Sequence, residues 1–296
     1  MKNNGFSTIY HLMLLPGIIL LLIFSIYPMH GILMAFQDFN PAKGVWESEL
    51  IGLDNFKYMF TLPDAKDVFV NTITISAMKL TANLLFALVF ALMLNEIRQR
   101  FVKKSIQTVV YLPHFLSWVL VAGIFKDMFS LDGFINQIVS FLGFQEIMFF
   151  SSNTWFPAIL VGSEVWKEFG FGAIVFLAAL TGISPSLYEA AAIDGASRTR
   201  QLWHITLPSI ASVIVLLAVL SLRSVLDAGF DQVFNMYNKL VYPSGDIIDT
   251  YVYRIGLVKL QFELATAVGL LKSVVSFILI IISYQLAYRF ANYRIF

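Results

Sequence analysis

Apolar residues fall into long blocks, and the blocks rather than any fine periodicity carry the first prediction. Runs at about 9–36, 72–94, 106–125, 155–183, 208–226 and 264–288 each come close to or exceed the ~20 residues that a helix needs to cross a hydrocarbon core. A closed barrel would instead show alternating segments of about ten residues. The expectation is an all-α integral membrane protein with six transmembrane helices, forming one domain over residues 1–296. Pro16 and Pro28 should kink or end the first run. Lys2 precedes that run with no small-residue cleavage site behind it, so the run reads as a retained span.

The connections set the orientation. Arg98, Arg100, Lys103 and Lys104 follow the second run, Arg198 and Arg200 follow the fourth, and Arg289 and Arg294 lie in the tail. Basic residues favour the cytoplasmic side. Both termini and the loops at 95–105 and 184–208 should therefore be cytoplasmic, with 37–70, 126–154 and 227–263 facing outward. Within the last of these, Ile247, Ile248, Tyr251, Ile255 and Val258 approximate a helical stripe. That segment is either an interfacial helix at the outer mouth or a plain amphipathic connector.

Composition agrees and narrows the chemistry. The chain is 58% hydrophobic and only 13% charged, against about 25% charged in soluble domains. A net charge of +1 argues against nucleic acid as a partner, and the absence of cysteine excludes thiol chemistry. His11, His30, His114 and His204 show no metal spacing, and no Walker-type loop exists to hold a nucleotide. No catalytic residue, metal or cofactor of this chain's own is expected.

Polar groups inside apolar runs are costly and mark lined pathways or helix–helix pairing. Thr72, Ser76, Lys79 and Asn83 share one helix face in the second run. The fourth run carries Glu164, Trp166, Lys167 and Glu168, with Glu164 and Lys167 spaced to pair. The fifth carries Arg223, Ser224 and Asp227, with Arg223 and Asp227 at i, i+4, and the sixth carries Lys272 and Ser276. One reading is a hydrophilic pathway for a polar solute such as a sugar, with Trp166 and Trp118 as stacking platforms. The other is that these groups satisfy one another. Lys79, Lys167, Arg223 and Lys272 hint at an acidic sugar, against which Glu164, Glu168 and Asp227 count.

The polar island at 184–208 has its own local logic. Ser184 suits an N-cap and Pro185 the first helical position. An Ala-rich turn through Ile193 should stop at Asp194-Gly195, where glycine permits positive φ. Ser197 should cap a second short helix that runs to Pro208. The pattern Glu189-Ala190-Ala191, Gly195, Ile205, Leu207-Pro208, with Asp194 beside the glycine, resembles the EAA signature of binding-protein-dependent ABC importer permeases with the MetI-like, type I fold. Softer likenesses to the LplB-type and maltose-type carbohydrate branch lie in Ile51-Gly52-Leu53-Asp54-Asn55-Phe56, in Gly182-Ile183, in Gln261-Phe262 and in Ala265-Thr266-Ala267.

The resemblance implies that 184–208 is a cytoplasmic coupling helix seated on an ATPase, with Glu189 capping and anchoring it and Gly195 making its turn. It implies a second permease in a heterodimer, two ATPase subunits that bind ATP and Mg, and an extracytoplasmic solute-binding protein. It further implies alternating-access import of carbohydrates, oligosaccharides foremost, across the cytoplasmic membrane of a bacterium. The alternative is a secondary sugar transporter driven by an ion gradient, with no ATPase. In that case the intramembrane Asp, Glu and Lys would bind the coupling ion.

Overall fold

A computed structural model of the chain describes residues 4–291. Lys2 and Arg294, which contribute to the orientation argument, lie outside them. The described chain is almost entirely helical. In order, the elements are α1 (Asn4–Leu21), β1 (Gln37–Asp38), α2 (Gly44–Glu47), β2 (Glu49–Leu50), α3 (Asp54–Thr61), α4 (Pro63–Asn95), α5 (Arg100–Tyr111), α6 (Trp118–Met128), α7 (Phe134–Phe141) and α8 (Phe156–Thr181). They continue as α9 (Pro185–Ile193), α10 (Arg198–Gln201), α11 (Leu207–Ser221), α12 (Phe230–Met236), α13 (Tyr242–Gly245), α14 (Ile248–Tyr253) and α15 (Phe262–Ala291).

Four helical stretches are long and apolar enough to cross a membrane: Tyr10–Phe36, Pro63–Asn95, Arg198–Ser221 and Phe262–Leu286. The number rises to six if each of two bent pairs is one span: Arg100–Phe115 with Trp118–Met128, and Phe156–Thr181 with Pro185–Ile193.

Several boundaries depart from the sequence reading. The first run does not end at its prolines. Pro16 sits inside α1, and a π turn at Leu22–Ile26 hands over to a 3-10 stretch, Tyr27–Phe36, that has Pro28 in its first turn. There the missing N–H costs little. α4 begins at Pro63, well before the apolar run, because a helix started by proline continues through Asp64, Lys66 and Asp67 into polar surroundings. The third run is not one straight span. It breaks after Phe115 and turns by 102°. Leu116 is extended, and the Ser117 hydroxyl accepts from the Leu120 N–H to start α6 afresh. The fifth run starts earlier and ends sooner than 208–226. Helix runs from Arg198 through Pro208 to Ser221, then tightens into a 3-10 turn at Leu222–Ser224. A π turn at Leu202–Thr206, with Leu207 N–H bonded to Leu202 C=O, carries the helix into the proline. Widening the turn relieves the clash that a proline ring makes with the preceding carbonyls.

Two compact units make up the described chain. One comprises the residues up to 62 together with 252–271. In it a two-stranded antiparallel ladder pairs Gln37 with Leu50 and Asp38 with Glu49. Asn55 pins this ladder, donating to Ala35 C=O at 3.1 Å and Gln37 C=O at 2.9 Å from a buried position. This gives the Asn55 of the soft carbohydrate-branch motif a local structural role. On α1 and the π turn that follows it, large apolar side chains, Met13 and Phe24 among them, are exposed, as lipid contact requires.

The other unit comprises 63–251 together with the residues from 272 onward. Its core lies along α4 and α8. Ile75, Phe156, Leu160, Val233 and Met236 form one buried cluster, and Ala87, Ala91, Ala173, Phe176 and Ile210 form part of another. Small residues at the crossing let the backbones approach. A Cβ on Gly170 would lie 2.6 Å from the Val110 carbonyl oxygen. Without a hydrophobic drive between helices in lipid, such close packing supplies the association energy. In the 246–263 segment the predicted stripe is helical. Ile247, Ile248, Tyr251 and Ile255 are buried, whereas Val258 is exposed.

Candidate functional site

The 184–208 loop folds as its local chemistry dictates. Ser184 is extended and precedes α9, which has Pro185 in its first turn. At the other end Gly195 adopts φ +74°. Its N–H reaches Ala192 C=O at 3.1 Å, and Ala196 N–H reaches Ala191 C=O at 2.8 Å. These two bonds are a Schellman cap. Asp194 is the residue at the helix end, with its N–H on Ala190 C=O. Ser197 Oγ then accepts from Arg200 N–H at 3.4 Å and starts α10.

Two side-chain bonds close the loop on itself. The Tyr188 hydroxyl lies 2.9 Å from Thr206 Oγ1, and Gln201 Nε2 donates to Ala196 C=O at 3.2 Å. Tyr188 was not singled out from the sequence, although it sits within the motif.

No residue of α9 is buried, and Ile193 is 87% exposed. A rigid helix with exposed Leu187 and Ile193 and an exposed Ala190 has nothing of its own unit to cover it. Glu189 is exposed in mid-helix and makes no hydrogen bond or ion pair with a described residue. Among the described residues it therefore has no side-chain partner to cap or anchor. Ile205 and Leu207 are half-buried and Pro208 is exposed. Beside the loop, a cleft of about 520 Å³ is lined by Met93, Glu96, Arg98, Tyr188, Arg198 and Thr206, among others. Arg198 faces Glu96 across it at 3.6 Å.

The polar groups of the spans are mostly engaged with one another. Thr72, Ser76 and Lys79 are buried and Asn83 is half-buried, so the stripe on α4 does face inward. Thr72 Oγ1 accepts from Ile248 N–H at 2.9 Å. Ser76 Oγ and Asn83 Oδ1 are buried without a partner. Lys79 Nζ donates to Ala228 C=O at 2.5 Å and to Gln232 Oε1, and lies 4.0 Å from Glu164.

Glu164 therefore faces Lys79, not Lys167. Lys167 donates instead to Glu168 Oε1 at 2.8 Å and to His114 C=O at 2.7 Å, with Trp118 beneath it at 5.4 Å. Glu168 also meets His114 Nδ1 at 2.7 Å. On α8, residues 164 and 167 are one turn apart, but the turn at Leu112–Leu116 brings a carbonyl to Lys167 and the His114 ring to its partner Glu168.

The fifth-run pair is not held at helical spacing, because the helix has already ended between Arg223 and Asp227. The Arg223 side chain lies outside those the structure describes. Ser224 C=O accepts from Asp227 N–H at 2.9 Å, and the exposed Asp227 accepts from Gly229 N–H at 3.4 Å. Trp166 is 39% exposed and lines an apolar groove of about 600 Å³ with Met78, Phe86 and Phe169. It is not among the polar groups. Lys272 pairs with Asp249 of α14 at 2.5 Å, and Ser276, one turn on, is half-buried. Gln232 and His114, which tie these groups together, carried no signal in the sequence because their partners are distant in the chain.

The Lys272–Asp249 pair offers a modest test. Its side chains are 21% and 26% exposed, between the surface and buried regimes. Lys272→Met should destabilise the detergent-purified protein by about 1–2 kcal/mol, and Lys272→Met/Asp249→Leu should recover most of it. Thermal unfolding of the three proteins checks this. Equal losses in the single and double variants would show that the packing of the lysine stem, not the charge pair, matters.

Residues 83–294 match the family model of the binding-protein-dependent transport system inner membrane component. The chain is 43% identical to Protein LplB of Bacillus subtilis (strain 168), over 97% of this chain and 90% of that one. It is 41% identical to the polygalacturonan/rhamnogalacturonan transport system permease protein YteP of the same organism, over 97% and 89%. Among solved structures, a chain of a bacterial ABC transporter involved in the import of the acidic polysaccharide alginate superposes with a TM-score of 0.88 at 36% identity, covering 98% of both chains. A chain of the alginate transporter in complex with its alginate pentasaccharide-bound periplasmic protein gives 0.88 at 35%, again covering 98% of both.

Proposed function

Since the chain belongs to the binding-protein-dependent transport system inner membrane components, the multi-pass permeases of ABC importers, we propose that the solute it passes is an oligosaccharide. The observation that carries this is the end-to-end match to relatives whose names specify polygalacturonan and rhamnogalacturonan transport, and to a transporter of alginate. Family membership leaves an ion-gradient carrier without support.

In this reading the chain joins a second permease, two ATPase subunits and an extracytoplasmic solute-binding protein. ATP and Mg belong to the ATPases. The termini and the 184–208 loop face the cytoplasm, and the exposed helix α9 seats on an ATPase. Exposed apolar groups on a helix whose C-terminal end is locked by a Schellman cap are what a docking element needs, since a rigid element transmits displacement without absorbing it. Alternating access then follows: the binding protein delivers sugar, closure of the ATPases on ATP pulls the loop, and hydrolysis returns it.

The charge of the sugar does not follow from the lysines of the spans. Lys79, Lys167 and Lys272 each have a carboxylate partner in the chain, so they present no surplus positive charge.

The test is reconstitution of the full complex in liposomes with loaded binding protein outside and ATP inside. Uptake of neutral and uronate-containing oligosaccharides is measured in parallel. Uptake that requires hydrolysable ATP is expected, for at least one of the two sugar classes. Uptake that persists without the ATPases and collapses with an ionophore would overturn the importer reading. ATP-driven uptake of a solute other than a sugar would overturn only the choice of solute.

A further inference from the structure

The α-helix of the fifth span ends at Ser221, tightens into a 3-10 turn over Leu222–Ser224, and is not followed by another helix until Phe230. Non-helical backbone at membrane depth persists only where protein holds it or a polar cavity solvates it. Here one side chain from another span reaches the break. Lys79 of α4, 5% exposed, directs its ammonium at Ala228 C=O, 149 residues away in sequence, and at the Gln232 amide oxygen. Glu164 of α8 stands 4.0 Å off on a third side. Gln232 is fixed in turn: its amide nitrogen donates to Leu160 C=O at 2.7 Å and to Ser163 Oγ at 2.8 Å.

An ammonium has three protons: Ala228 C=O and the Gln232 amide oxygen take two, and Glu164 at 4.0 Å faces the cation as an ion-pair partner beyond hydrogen-bond reach. The amide of Gln232 uses its oxygen on the lysine and its nitrogen on α8. The network links α4, the break, α12 and α8 through one cation. Gly229 makes room for it. That residue sits at φ +84°, and a Cβ there would lie 3.3 Å from Lys79 Nζ. Glycine therefore serves twice, for the backbone angle and for the approach of the lysine.

We propose that Lys79 is a positioning residue for solute passage: it holds the unwound stretch of the fifth span in register with α4 and α8, so that Ser224 and Asp227 face the solute path. This rests on the importer reading above. A buried cation retained at membrane depth for this purpose is a different role from contacting the sugar. Lys79 is buried, and its ammonium points into this network. The exposed group at the break, Asp227, is the one a solute meets.

The experiment uses the reconstituted complex and measures two rates side by side, oligosaccharide uptake and ATP hydrolysis stimulated by loaded binding protein. Lys79→Met leaves Ala228 C=O and Gln232 unpaired in the interior. Uptake should fall about tenfold or more, while stimulated hydrolysis stays within about twofold, because α9 and its caps are untouched. Gly229→Ala, which leaves every charge in place, should reproduce that split. Adding Glu164→Gln to Lys79→Met should not restore uptake, since the lost partner is a carbonyl rather than a charge. If Lys79→Met fails to assemble, Lys79→Gln keeps a donor for Ala228 C=O and should retain more uptake than Gly229→Ala.

Unchanged uptake in Gly229→Ala or Lys79→Met would overturn the proposal. So would rescue by Glu164→Gln, which would reduce Lys79 to a counter-charge. Parallel loss of uptake and hydrolysis in the assembled variants would make the role merely structural. Absence of ATP-dependent uptake in the unaltered complex would count against the importer reading instead.

Discussion

Replacing Gly195 with leucine is expected to abolish solute uptake while leaving the permease folded and in the membrane. Gly195 sits at φ +74°, and a Cβ built there meets nothing within 4 Å. Steric exclusion is therefore not the issue. The strain lies in the backbone alone, about 1–2 kcal/mol for a non-glycine residue in this region. Relief requires the φ angle to change, and with it the two bonds to Ala191 and Ala192 that end α9. A shift of about 1.4 kcal/mol is tenfold in the population of the docked loop geometry, and loss of the cap adds to it. The helix core of the protein is untouched, so abundance and thermal stability in detergent should stay near those of the unaltered chain. ATP hydrolysis should lose its stimulation by loaded binding protein. Gly143 provides the control, with φ +84° and nothing within 4 Å of its Cβ. Gly143→Leu carries a similar strain at the end of α7 and should leave uptake intact. Normal transport by Gly195→Leu, or equal loss in both variants, would remove α9 from the coupling role.

The second large effect is on assembly. Gly170→Leu is expected to prevent stable folding. A Cβ at Gly170 would lie 2.6 Å from both the Val110 carbonyl oxygen and Val110 Cγ1. The oxygen belongs to the backbone of α5 and cannot rotate away as a flexible side chain would. α8 and α5 must separate, and overpacking of this kind costs about 3 kcal/mol or more. The His114–Glu168–Lys167 contacts lie just beside that crossing and should loosen with it. Gly162 on the same helix, with nothing within 4 Å of its Cβ, is the counter-case. Gly162→Leu extends into the apolar groove beside Trp166 and should leave the purified chain about as stable as before. Membrane abundance and a monodisperse elution profile distinguish the two. Indifference at Gly170 would mean that the α5–α8 approach is looser than the structure has it.

The serine cap of α10, the turn at Gly195 and the approximate spans were legible in the chain because their causes are local, whereas Ser184, expected to cap α9, turns its hydroxyl to Ser186 and makes no capping bond. A proline at a helix start, a serine cap and a glycine at positive φ act within four or five residues. A run of about 20 apolar residues is itself the condition for a span. The inward face of the α4 stripe was also readable, since it needs only helical periodicity.

The bend of 102° after Phe115 was hidden, because residues 106–125 are apolar on both sides of the corner and the apolar run continues through it. The early unwinding at Leu222 was hidden because Arg223 and Asp227 stand at helical spacing, so the sequence offers a continuing helix where the chain has already left it. Trp166, read as a stacking platform, lines an apolar groove with Met78 and Phe86, a placement that sequence neighbourhood on a helix does not specify.

The sequence by itself determined that this is a membrane protein of several spans with an exposed, rigidly ended helix between two of them. Only the tertiary structure decided the partners of the buried charges. Glu168 rather than Glu164 takes Lys167, and Ala228 takes Lys79. An ammonium in a low-dielectric interior takes whichever acceptors complete its coordination, and the acceptors within reach are set by how the helices cross, not by their spacing along the chain.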